Sequence, residues 1–461
     1  MPAQNRSASR FRPSLSFILL AGLLGVLWLA GGASRADALG QVVVRAAAWG
    51  ALVAVILFGE RPVLGQARPV AFLLLAALAL ALLQLIPLPP DIWQALPGRA
   101  PFAEAAAASG QPQPWRPLSI SPGATLNAAS SLIVPFAVLA LVLGLKEMER
   151  DWLPGLVLGL VAASMLMGLM QFSGGGFNNP LINDPLGEVG GTFANRNHFA
   201  LFLAFGCLLA PVWAFLGGRQ PQWRGPAALG LVLLFALTIL ATGSRAGLLL
   251  GTIALGLGLA LVRQGVRRML ARYPRWAFPA LIAGIVSVVA VFVLISVAAD
   301  RAASIDRAFA AGQDMRGREL PTVLDMVETY YPVGSGLGGF DAIFRMHEPF
   351  ELLKLTYFNH AHNDLLELVL DAGLPGLLLL LAGLSWWAWA SARAWRAGSG
   401  TRFALPKLGS AMLLLVIIAS AFDYPARTPM MMAIIVVAGV WLSGRAGASR
   451  ASALPKDDQH L

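Results

Sequence analysis

The chain's 461 residues are 57% hydrophobic and only 13% charged, with a mean hydropathy of +0.68. Soluble domains carry roughly 25% charged residues, so a water-soluble surface is excluded, and apolar stretches of about 20 residues read as transmembrane helices. The net charge of +10 fits the Lys and Arg that membrane proteins gather in cytoplasmic loops. No basic patch interleaved with aromatics points to nucleic acid. The single cysteine, Cys207, lies in an apolar run, which excludes an intramolecular disulfide.

Taken in chain order, the first apolar segment, Ser14 to Ala30, follows Arg6, Arg10 and Arg12. It reads as a signal anchor, with a cleaved signal peptide ending near Ala33-Ser34-Arg35-Ala36 as the alternative. Twelve apolar windows follow one another: 14–31, 39–58, 69–88, 124–145, 152–172, 198–217, 226–242, 246–263, 278–298, 365–392, 406–422 and 429–444. They predict an all-α, polytopic membrane protein of about 12 spans, organised as one membrane domain over residues 1–461. The tenth window is long and contains Gly373, Pro375 and Gly376, so a short interfacial helix is expected before the true span.

If the N-terminus is cytoplasmic, about 21 of the 34 basic residues fall on the cytoplasmic side, against about 6 of the 24 acidic ones. The cluster Arg263, Arg267, Arg268, Arg272 and Arg275 is the strongest pin. This orientation puts both termini, including the tail 445–461, in the cytoplasm. It exports the loops 89–123 and 173–197 and a long loop, 299–363. Within that long loop Leu320, Val323, Leu324 and Val327 recur at helical spacing and predict a helix along the membrane surface. The run Gly334-Ser335-Gly336-Leu337-Gly338-Gly339 then breaks it, either as a plain turn or to let backbone approach a ligand.

Polar groups near membrane depth are costly and point to function. Four groups stand out, all on the exported side of this topology. Thr192-Phe193-Ala194-Asn195-Arg196-Asn197-His198 opens the sixth span; it offers an anion site or simple helix capping. Gly243-Ser244-Arg245 forms a tight hairpin that holds Arg245 at the interface, to bind phosphate or to snorkel. Arg316 and Arg318 in the long loop read as a diphosphate clamp or as a solvated charge run. The last group is Asn359-His360-Ala361-His362-Asn363-Asp364, leading into Glu367. Metal ligation is one reading of the His-x-His pair, but the neighbouring clusters are arginines, which repel cations. If the segment is helical from His360, then His360, Asp364, Glu367 and Asp371 share a face, and a carboxylate beside imidazole makes a general base. A histidine base with arginines, and no metal or cofactor, suits attack of a hydroxyl on a sugar carbon whose leaving group is a lipid diphosphate.

Together, Gly191-Thr192-Phe193-Ala194-Asn195-Arg196-Asn197-His198, Thr242-Gly243-Ser244-Arg245-Ala246-Gly247, Gly334-Ser335-Gly336-Leu337-Gly338-Gly339-Phe340 and Asn359-His360-Ala361-His362-Asn363-Asp364 resemble the O-antigen ligase family. The stretch Ser420-Ala421-Phe422-Asp423-Tyr424-Pro425-Ala426-Arg427-Thr428-Pro429 is similar to a recurring segment of some members. The likeness runs from about residue 87 onward, with its core between Gly191 and Gly376. It implies a metal-independent, inverting glycosyltransferase of the bacterial inner membrane, working on the periplasmic face. The donor would be a glycan on undecaprenyl diphosphate, and the acceptor lipid A core or another glycan. The family's His-Asn histidine corresponds to His362, with His360 beside it. Its Ser-Arg arginine corresponds to Arg245, and its loop arginine to Arg316, with Arg318 as a rival and Arg196 as a further candidate for the diphosphate. Ala419 stands where some relatives have histidine, which puts a role for the turn after it in doubt.

Overall fold

The computed structural model describes residues 12–175, 179–182, 187–216, 221–271, 274–276, 315–353, 358–398 and 403–444, with scattered positions between 279 and 294. The architecture is all-α; among the described residues the only strands are the two-residue β1 (Pro87–Leu88) and β2 (Arg116–Pro117). They pair antiparallel, Pro87 opposite Pro117, and close the loop between the third and fourth apolar windows.

Eleven of the twelve apolar windows correspond to helices. Among the described residues eight helical stretches are long and apolar enough to cross a membrane: α2 (Leu39–Phe58), α3 (Arg68–Leu83) with the 3-10 turn before it, α6 (Pro122–Ser131) continuing into α7 (Ile133–Leu143), α8 (Glu147–Phe172), α9 (Arg196–Phe215), α10 (Arg224–Ala241), α11 (Arg245–Leu270) and one from Asp364 to Arg396. Three shorter apolar helices, α1 (Leu15–Ala30), Ala404–Ser420 and Pro429–Ser443, complete the set. The window 278–298 lies largely outside the described residues, as do 295–314, the N-terminal 11 residues and the tail 445–461. Between β1 and β2 lie α4 (Pro90–Gln94) and α5 (Ala100–Ala108).

Helix α9 is the hub. Its window is 83% buried, against 28% for that of α2, because it is apolar all round and packs against α8, α10, α11 and Ala404–Ser420. A helix without a polar face has no side to give to water. Its side chains Phe199, Phe202 and Phe205 are fully enclosed.

The long loop carries α12 (Met315–Tyr330) and α13 (Phe340–His347). Helical spacing foretold α12, but its buried stripe is Val323, Met326 and Tyr330, whereas Leu320 and Leu324 are about half exposed. These residues pack with Phe340, Ile343, Phe344 and Leu370 in a second small core. The chain then enters α14 (Asp364–Arg396), whose helix is broken at Gly373 (φ 56°, ψ −142°). The break falls where the glycines and proline announced it. In the short piece ahead of it Asp364, Glu367, Leu370, Asp371 and Ala372 are buried.

Glycine makes this break possible. A Cβ on Gly373 would lie 2.1 Å from the Pro332 carbonyl oxygen, and one on Gly334 would lie 2.6 Å from that of Asp371. The glycine-rich turn thus brings its backbone against another backbone: Ser335 N–H donates to Leu370 O at 3.0 Å and Gly336 N–H to Asp371 O at 2.9 Å. Gln84 at the end of α3 bridges the same place, donating to Asp371 O and accepting from Leu337 N–H, each at 2.9 Å. Fully buried Arg99 donates to Leu118 O and Gly334 O, fastening the loop between α4 and α5 to the turn. The last helices are α15 (Ala404–Ser420) and α16 (Pro429–Ser443), joined by residues 421–428.

Candidate active site

Four helix ends meet at one end of the bundle. Asn195 caps α9 by accepting from Asn197 N–H at 2.8 Å, and Ser244 caps α11 by accepting from Gly247 N–H at 2.9 Å. Asn363 caps α14 by accepting from the N–H groups of Leu365 and Leu366. Side-chain oxygens at N-caps satisfy donors that the helix leaves unpaired. The fourth element is the turn 421–428. It is tied to α14 by Asp364 N–H donating to Asp423 O and by Asn363 Nδ2 donating to Ala421 O, each at 3.2 Å.

Two charge centres grow from that turn. The first is Asp423, whose carboxylate is almost fully enclosed. It accepts from Asn195 Nδ2 at 3.1 and 3.2 Å and from Asn197 Nδ2. His198 Nε2 stands 3.6 Å and His362 Nδ1 3.5 Å from its Oδ1. Burial alone would push the carboxyl up, but the imidazoles of His198 and His362 beside it outweigh that and hold Asp423 well below the usual carboxylate range. Asn197 also accepts from Ser244 Oγ at 2.6 Å. Residues from the first, second and fourth sequence motifs therefore converge through one carboxylate that the sequence reading had not singled out.

The second centre is Arg427. Its Nε donates to Asp364 Oδ1 at 3.0 Å, and its Nη1 lies 3.1 Å from Glu367 Oε1 and 3.6 Å from Asp371 Oδ2. Asp364 also accepts from Ser420 Oγ and Ala426 N–H. Burial would lower the guanidinium, but Glu367, Asp371 and Asp364 together raise it above its ordinary value. The three acids do share one helix face, as their spacing implied. His360 precedes the helix and joins them by Nδ1···Glu367 Oε1 at 3.0 Å, while Glu367 Oε2 accepts from Ala361 N–H. The carboxylate facing His362 is thus Asp423, while Glu367 faces His360. A signal for Arg427 existed: three carboxylates on one face of an apolar helix need a cation, and Arg427 lies in the next turn on the same side.

Tyr424 sits among the histidines. Its ring centroid is 4.3 Å from that of His360, 5.0 Å from His362 and 5.1 Å from His198. His362 has a left-handed backbone (φ 49°), a conformation that costs a non-glycine residue about 1 kcal/mol or more and clusters at functional sites.

A cavity of about 930 Å³ opens beside this centre. His360, Asp364, Ser420 and Arg427 line its polar end, and Leu73, Leu380, Trp386 and Val416 its apolar flank. Of the predicted diphosphate residues, Arg196 and Arg245 are exposed at neighbouring turns, with Arg196 Nη1 about 4.0 Å from the Cβ position of Gly243. Arg318 is exposed on α12. The side chain of Arg316 lies outside the described residues. Arg196, Arg245 and Arg318 do not line the cavity; the arginines that do are Arg35, Arg45 and Arg427.

Residues 230–381 match the O-antigen ligase family model. That segment belongs to the O-antigen ligase family. It holds Ser244, the glycine-rich turn, both histidines of the His-x-His pair and the acids of α14, and it supports a ligase- or polymerase-like function in surface-polysaccharide assembly. No curated protein matches the chain. Asn195, Asn197, His198, Asp423 and Arg427 lie outside the matched segment, so the ligase-family segment draws half of its polar centre from elsewhere in the chain.

Proposed function

We propose that this chain is a glycosyltransferase of the bacterial inner membrane that moves a glycan from undecaprenyl diphosphate to an acceptor hydroxyl on the periplasmic face. Lipid A core is the acceptor in O-antigen ligation; another glycan would be the acceptor if the protein is a polymerase of the same family. The observation that carries this reading is the cavity: a long apolar flank of helix walls ends at His360, Asp364 and Arg427, next to the histidine cluster around Tyr424. Such a shape suits a lipid-borne sugar presented to a base. The charge asymmetry of the loops supports the periplasmic orientation.

In the proposed reaction His362 removes the proton of the acceptor hydroxyl, and Asp423 at 3.5 Å orients the imidazole. The acceptor oxygen attacks the anomeric carbon from the side opposite the diphosphate. The C–O bond to the diphosphate breaks, and the lipid diphosphate leaves with the electron pair, so the anomeric configuration inverts. Guanidinium groups stabilise its growing charge; Arg245, Arg316, Arg318 and Arg196 are the candidates from the motifs. No metal or cofactor is required in this scheme. A second reading exchanges the two histidines, because His360 lines the cavity and is bonded to Glu367 at 3.0 Å.

The test is surface glycan in a deletion strain rescued with wild type, His362→Ala or His360→Ala at matched membrane levels, with the lipid-linked precursor pool followed in parallel. Wild type should restore glycan, and His362→Ala should not, with precursor accumulating. Long precursor chains identify a ligase and single repeats a polymerase. Full rescue by His362→Ala with failure of His360→Ala supports the second reading, and full rescue by both variants rejects the histidine-base chemistry.

A further inference from the structure

The cavity carries a cation that the scheme above does not use. Arg45 stands on α2 six residues past Leu39, about 9 Å along the helix axis, inside a stretch apolar enough to span the membrane. An arginine at such a position is costly unless it is paired or solvated. Three carboxylates line the cavity, and each already has its own arginine. Asp37 accepts from Arg35 Nε at 2.9 Å, Asp341 from Arg345 Nε at 2.8 Å and Asp364 from Arg427 Nε at 3.0 Å. Among the described residues no carboxylate lies within ion-pair distance of Arg45.

Its partners are neutral. Nη1 donates to Ser130 Oγ at 3.1 Å and Nη2 to Gln41 Oε1 at 3.3 Å, while Nε is buried with no hydrogen-bond partner. Snorkelling would carry the guanidinium outward to the bilayer surface. Here Ser130 of α6 and Gln41 of α2 tether it at the cavity wall, where Asn127 and Ser131 add further polar groups. The opposite flank is apolar, with Leu74, Leu379, Leu384 and Trp387. One wall offers an uncompensated fork of N–H donors and the other a hydrocarbon surface.

We propose that Arg45 binds the phosphate or diphosphate head of a long-chain lipid whose tail lies along the apolar flank of this cavity. A guanidinium fork is suited to phosphate oxygens, and burial beside hydrocarbon strengthens the pairing. The assignment rests on the lipid-diphosphate donor proposed above and moves its head from the exposed Arg196 and Arg245 corner to α2.

The full-length protein, purified in detergent, is titrated with farnesyl diphosphate, with farnesol, with inorganic diphosphate and with short-chain phosphatidylglycerol. Wild type should bind farnesyl diphosphate. Arg45→Gln should weaken that binding tenfold or more, Arg45→Lys should weaken it less, and neither should alter farnesol binding. An unchanged melting temperature of Arg45→Gln, or retention of binding by Arg45→Lys, separates loss of the site from loss of the fold. Wild-type affinity in Arg45→Gln, or weakening by Arg245→Gln alone, overturns the inference and leaves the donor class standing. Arg45-dependent binding of phosphatidylglycerol without farnesyl diphosphate supports the phospholipid source of the same chemistry and rejects the donor reading. No binding of any phosphate-bearing probe to wild type overturns the inference, while the glycan-rescue experiment still judges the transferase reading separately.

Discussion

Replacing Arg427 with methionine should be among the most damaging substitutions in this protein. The guanidinium is the counter-charge of Asp364, Glu367 and Asp371, at 3.0, 3.1 and 3.6 Å, and the side chains of Glu367 and Asp371 are fully enclosed. Breaking a buried ion pair by removing one partner costs about 3–5 kcal/mol, since the other charge stays buried and unpaired. Here three acids lose one cation, so the upper part of that range applies, moderated by the 21% exposure of the Arg427 side chain. The assay is thermal unfolding in detergent followed by tryptophan fluorescence, at one scan rate because such unfolding is governed by rates. Arg427→Met should melt several degrees below wild type, and Arg427→Lys should fall between, keeping the charge but losing the fork. The decisive arm is the double variant Arg427→Met with Glu367→Gln, which should melt above Arg427→Met alone, because neutralising an orphaned acid removes part of the penalty. A double variant that melts lower still would refute the charge argument and leave a packing role for Arg427.

Two further outcomes follow from the geometry. Asp423 is held well below the usual carboxylate range by His198 and His362 against burial. Its stabilising contribution should therefore be complete above the unfolded value of about 4 and fade as pH falls through the lower folded value. The gap in melting temperature between wild type and Asp423→Asn should narrow as pH falls below about 4; a gap that widens there would contradict the assignment. Gly373→Ala should cost about 2–3 kcal/mol, combining a glycine-only backbone conformation with contact at the Pro332 carbonyl. A wild-type melting temperature in that variant would mean that the turn gives way at no cost.

The spans were legible because lipid imposes one solution on the backbone, and apolar runs of the required length announce it. The break in α14 was legible for a related reason: Gly373, Pro375 and Gly376 cannot sit quietly inside a helix. Its consequence was not, since the buried setting of the preceding piece depends on Pro332, Gly334 and Ser335 arriving from another segment. The polar motifs could be found one by one at span ends, but spacing along the chain carries no information about which carboxylate faces which histidine. His362 meets Asp423 because the turn after α15 is hydrogen-bonded to the cap of α14, a pairing between residues 61 positions apart. For the same reason Arg45, in an unremarked helix near the start of the chain, was silent until a cavity surrounded it.

The turn 421–428 gains its importance from this arrangement. It supplies a carboxylate to one histidine cluster and a cation to three carboxyl groups, with Tyr424 between them. Because Asp423 and Arg427 stand on one short turn, the geometry of each centre constrains that of the other. The residues that surround the histidine–carboxylate pairs are thus divided between the ligase-family segment and flanking helices. Substitutions in α9 or in the turn should alter the pH dependence of glycan transfer without touching either histidine.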